Sequence, residues 1–133
     1  MPLTSAETAD RGTLMQLAQR LIDSSTSDRE RAAAQALNEE ETILAHTSVL
    51  RALGLLEQPG QSEVQWEGLA GRVYSVGLDD EQRAFLGLVL SMVGIGHVTL
   101  AAVSGLGERR LAIMLRAIAR LAGNDTIAVG TRI

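Results

Sequence analysis

Two histidines, two runs of carboxylates, Ser75 and two Gly-x-Gly patches are the residues of this chain whose types and spacing could do chemistry. A four-helix di-iron site uses Glu-x-x-His, which projects both ligands from one helical face into a core. Ile43 stands three residues before His46 and Gly94 three before His97, so both fail, and no His-Glu-x-x-His zinc helix is present. In the runs Glu39-Glu40-Glu41 and Asp79-Asp80-Glu81, adjacent residues on a helix point in different directions, so neither is a ready acid–base pair. Tyr74-Ser75-Val76-Gly77 carries half of a nucleophile elbow, with Val73 where the leading glycine would stand. Gly94-Ile95-Gly96 and Gly105-Leu106-Gly107 lack the third glycine of a dinucleotide loop; Thr99 and Arg110 occupy that position. Both patches read as turns between helices.

The residue types that are missing narrow the chemistry further. All twelve basic residues are Arg, with no Lys and no Cys. That excludes a phosphate-binding lysine loop, a Schiff base, a Ser–Lys mechanism, a thiol nucleophile, a disulfide framework and an iron–sulfur site. The expectation is a protein that is not an enzyme and holds no cofactor or metal.

Charge is the one unevenly distributed property. Residues 1–96 carry seven Arg against fourteen acids, or -7, whereas residues 97–133 carry five Arg against two acids, or +3. A basic C-terminal third in an acidic chain suits a phosphate or an acidic partner, and Arg109, Arg110, Arg116 and Arg120 are the candidates for that contact. The plainer reading makes the Arg stripe the wet face of an amphipathic helix, or one folded back on the acidic second helix.

Residues 97–114 resemble a helix-turn-helix. Ala101 lies four residues before a turn glycine, Gly105, and Leu100, Leu106, Leu111 and Met114 fall where that motif packs its core. Ser104 departs from the pattern, since an apolar residue usually stands there. The resemblance implies a short helix, a turn, and a recognition helix whose Arg109, Arg110 and Arg116 reach phosphates or base edges.

The elements that must position these residues are helical. Leu14, Leu17, Ala18, Leu21 and Ile22 form one stripe, predicting a helix over about 5–23. Ser27 with Glu30 three residues on is a capping-box signature, so a second helix starts at Asp28. It is predicted to run as far as Glu57, where Gln58-Pro59-Gly60 ends it. Over 62–76 helix and strand compete; Trp66, Leu69, Ala70 and Val73 favour helix, with Gly77 as its cap. Asp79 and Gln82 cap a fourth helix, Asp80 to Val93, apolar around most of its circumference. Its small strip, Ala84, Gly87 and Ser91, calls for a close neighbour. A short helix over about 97–103 follows, then one from Glu108 to Ala122. On the latter, Leu111, Met114, Leu115, Ile118, Leu121 and Ala122 face inward and Arg109, Arg116 and Arg120 face solvent. The period-two pattern over 126–133 predicts a short β arm.

Length and composition set the frame. The chain has 133 residues, 46% hydrophobic, 2% aromatic and a net charge of -4, which suits one domain rather than two marginal cores. The uncharged run 84–107 is long and apolar enough to cross a bilayer, but Gly94 and Gly96 interrupt it and polar residues punctuate it. The opening Met1–Glu7 has neither the basic nor the apolar region of a secretory signal. The expectation is therefore an all-α, cytoplasmic protein outside the membrane: one bundle of five or six helices around Asp80–Val93. Its surplus of apolar residues points to a non-enzymatic protein–protein interaction module, homodimeric or binding another protein. A DNA-binding regulator using residues 97–120 ranks second, and a small-molecule-binding helical protein third.

Overall fold

The structure, a computed structural model, describes residues 10–56, 63–96, 98–124, 126–130 and 132. Six α-helices and one 3-10 helix make up its regular structure among those residues. Helix α1 spans Arg11–Asp23, and Asp10 caps it by accepting from the Thr13 N–H at 2.9 Å. That bond, with a second from the Thr13 hydroxyl, holds the Asp10 carboxyl below its usual pKa. The predicted start near Ser5 gives way to this cap, and residues 5–9 lie outside the described part. The expected stripe points inward, with Ala18, Leu21 and Ile22 buried.

Helix α2, Asp28–Glu40, begins as predicted at the Ser27 cap. The Glu30 carboxylate reaches back to the Thr26 N–H and hydroxyl, one residue earlier than in the standard box. Its alanines do more than favour helix. Ala32, Ala33, Ala34 and Ala36 are all buried, because α2 packs against α1, α5 and α6. Small side chains let three neighbouring helices approach one axis.

The predicted continuation to Glu57 fails at Glu41, whose φ of 72° and ψ of -40° leave the helix. The Thr42 N–H donates to the Glu40 carbonyl at 2.9 Å across it, which makes Glu41 the centre of a γ-turn, a rare and strained form. No local breaker explains this end. It is fixed by tertiary bonds to the Glu40 side chain, given below. Helix α3, Thr47–Ala52, then runs only six residues and closes at Gly54, whose φ is 79°. The described residues reach Leu56, so Gln58-Pro59-Gly60 lies outside them.

Over 62–76 the helical prediction holds for one short helix, α4, Trp66–Ala70, and turns follow it to Ser75. Trp66 and Leu69 are buried beside α3. Gly68 permits that contact: a Cβ there would lie 3.0 Å from the Ala52 carbonyl oxygen. Gly77 takes φ 85°, well past the end of α4, so it turns the chain towards α5 and caps nothing.

Helix α5, Asp80–Val93, has the predicted bounds and a full capping box between Asp79 and Gln82. Phe85, Leu86, Val89, Leu90 and Met92 are buried, and α5 touches α2, α4, α6 and the 3-10 helix. The small strip has the close neighbour it needs. A Cβ on Gly87 would stand 2.8 Å from Val98 Cγ2, and the Cβ position of Gly105 is 3.7 Å from Ala84. That neighbour is a 3-10 helix at Leu100–Gly105 rather than an α-helix at 97–103, and none of its residues is buried. His97 lies outside the described residues. Helix α6 spans Glu108–Leu121, and Gly123, at φ 74°, ends it as predicted.

The C-terminal β arm does not form among the described residues. Thr126 and Ile127 instead donate their N–H groups to the Asn124 side chain, an Asx turn. The apolar run 84–107 is broken into α5, a left-handed Gly94 and the 3-10 helix. No helix of the described residues is long and apolar enough to cross a membrane.

Candidate interaction surface on helix α6

Helix α6 presents three sides, and two of them differ from expectation. Ile113, Met114 and Ala117 are its buried residues. The predicted inner face is therefore turned aside. Met114 is buried, whereas Leu115 remains 44% and Ile118 42% exposed, and Ala122 is exposed as well.

The cause is on the other flank. Arg109, Arg110, Arg116 and Arg120, candidates for solvent, a polyanion or the acidic second helix, all reach the C-terminal end of α2, the last of these readings. Arg109 donates to the Glu39 carbonyl at 2.8 Å and to the Glu40 carbonyl at 3.0 Å. Helix α2 has no basic residue in its last turn to meet the negative end of its dipole, so Arg109 supplies the cation from another helix. Arg116 and Arg120 share the Glu39 carboxylate, at 3.1 and 2.7 Å. The Arg stripe is a clamp on α2, and it rotates α6 until part of its apolar face turns outward.

Arg110 enters a buried network. Its Nε lies 2.9 Å from Oε2 of Glu40, whose residue is 0% exposed. The other Glu40 oxygen accepts the Ile43 N–H at 2.8 Å, and the Thr42 hydroxyl donates a short hydrogen bond to Oε2. Thr42 Oγ1 in turn accepts from Gln82 Nε2 at 3.0 Å, while Gln82 Oε1 accepts the Asp79 N–H. One chain of hydrogen bonds thus joins the end of α2, the turn after it, the cap of α5 and the start of α6. Every polar group in it has a partner, which is what a buried carboxylate requires. Sequence reasoning treated Glu39-Glu40-Glu41 as one acidic run and did not single out Glu40. The available signal was the opposition of an acidic run to an Arg-rich helix, which does not say which acid is buried.

The remaining candidates stay apart. His46 precedes α3 at its N-cap without a side-chain cap bond, and the Ser75 hydroxyl donates to the Arg72 carbonyl at 3.2 Å. Among the described residues no three His, Cys, Asp or Glu side chains are grouped to hold a metal ion. The helix-turn-helix resemblance loses its first α-helix to the 3-10 segment, and all of its candidate Arg side chains are engaged within the chain.

What stays available on α6 is its outer face. Leu111, Leu115, Ile118 and Ala122 recur at intervals of four, three and four, one helical file, flanked by Ala112 and Ala119. Glu108 is the acidic residue of the first turn of α6, three residues before Leu111. No family model matches this sequence, and comparison with curated proteins and with solved structures finds no similar one.

Proposed function

We propose that this chain is a non-enzymatic interaction module, one helical bundle acting in the cytoplasm, and that it pairs with a second copy through the outer face of α6. The observation that carries this reading is the apolar file Leu111–Leu115–Ile118–Ala122, of which Leu115, Ile118 and Ala122 are exposed and Leu111 half-buried. Small residues beside it, Ala112 and Ala119, suit the close approach of another helix. A two-fold axis across one helix makes a face self-complementary, so a single stripe suffices on each copy. Fourteen residues give a helix of about 21 Å, and at a width of about 10 Å one face offers on the order of 200 Å², short of the roughly 800 Å² per partner of a standard interface. The dimer is accordingly expected at micromolar rather than nanomolar concentration.

Sedimentation equilibrium across a concentration series tests it. The expected result is a reversible monomer–dimer equilibrium that the double change Leu115→Ser, Ile118→Ser abolishes without loss of helix. A monomer of 14.2 kDa at all concentrations, or a dimer indifferent to that double change, would overturn the reading.

A further inference from the structure

We infer that the groove between the outer edges of α2 and α6 binds a small organic anion, with a carboxylate or phosphate head on a short apolar body. This site adjoins the proposed dimer face at Ala119, but none of Leu111, Leu115, Ile118 and Ala122 lines it, so the two are tested separately. The groove holds about 640 Å³ and is lined by Arg31 and Gln35 of α2, Arg116 and Arg120 of α6, and Asn124 and Ile127 beyond it. That volume is of small-molecule size.

Charge and donor accounting identify the head group. Three guanidiniums line the groove, and among the described residues the carboxylate paired with them is that of Glu39, so the positive charges exceed the negative by two. Arg116 spends Nε and Nη2 on one Glu39 oxygen and Arg120 spends Nη1 on the other. A guanidinium has five N–H donors, so both keep donors to offer. Arg31 is exposed and has no ion-pair partner among the described residues. Planar forks of this kind match the paired oxygens of carboxylate and phosphate. The body is read from the opposite wall, where Ile127, Ala128 and Val129 line the groove. Arg109 and Arg110 are spent at the far end of the clamp, so the positive surplus of the C-terminal third collects here.

Titration calorimetry with phenyl phosphate, phenylacetate, inorganic phosphate and benzyl alcohol tests the proposal. Saturable binding of phenyl phosphate or phenylacetate is expected, about tenfold tighter than inorganic phosphate, as burial of a ring and loss of one charged contact are each of that order. Whichever of the two binds more tightly identifies the head group. Arg31→Gln, which breaks no internal contact, should weaken it about tenfold. Ile127→Ser should erase the advantage over inorganic phosphate. No saturation by about 10 mM (a Kd weaker than useful recognition), equal affinity for benzyl alcohol, or indifference to Arg31→Gln or to Ile127→Ser would overturn the proposal.

Discussion

Glu40 and Glu41 are adjacent in sequence and opposite in consequence. The Glu40 carboxylate is fully buried, paired with Arg110, and bonded to the Ile43 N–H and the Thr42 hydroxyl. Glu40→Ala would leave that N–H and most of the Arg110 charge without partners in a dry site. The expected loss is about 3 kcal/mol, at the lower end for a broken buried pair because Glu81 lies 3.7 Å from Arg110. Urea unfolding would measure it, and Glu40→Gln should lose less by keeping the acceptor for Ile43. Glu41, exposed and at φ 72°, adopts a conformation that L side chains rarely take. Glu41→Gly should therefore stabilise the protein by about 0.5–1 kcal/mol, read as a higher urea midpoint with unchanged slope. If this change destabilised the protein instead, the γ-turn would not be the strained point of the fold.

At the scale of elements, the association of α2 with α6 is the contact most open to test. Its buried part is small, Ile113, Met114 and Ala117 against an alanine-rich helix. Three Arg side chains outside the core supplement it. Replacing Arg109, Arg116 and Arg120 by Gln should lower stability by about 1–2 kcal/mol, most of it from the carbonyl bonds of Arg109. Arg116 and Arg120 are more than a third exposed, so their share is discounted for solvent screening. A purely solvated stripe would give no change. High salt should reproduce part of the loss in the wild-type protein and little of it in the triple variant.

For the whole molecule, the clamp and the apolar file are two results of one rotation. Seating the Arg side chains on α2 satisfies the open end of that helix and turns Leu115 and Ile118 out. A second copy would cover them. Because only the folded chain can pair in this way, the unfolding midpoint should rise with protein concentration. That dependence should vanish in the Leu115→Ser, Ile118→Ser variant, a check on the dimer that needs no measurement of mass.

Local patterns determined what local physics decides. Capping by Ser27 and by Asp79 with Gln82, the bounds of α5, the close neighbour on its small strip and the glycine end of α6 were all legible in the sequence. Each rests on contacts within a few residues or on the period of one helix. The end of α2 was not legible, because no breaker marks it and the buried Glu40 carboxylate that bonds Thr42 and Ile43 there is paired with Arg110, seventy residues away. The same reason hid the orientation of α6. Periodicity gives the width of an apolar face, but which edge is buried depends on what lies opposite. Here the opposite element is the acidic end of another helix, which takes up the Arg side chains while Leu115 and Ile118 stay exposed.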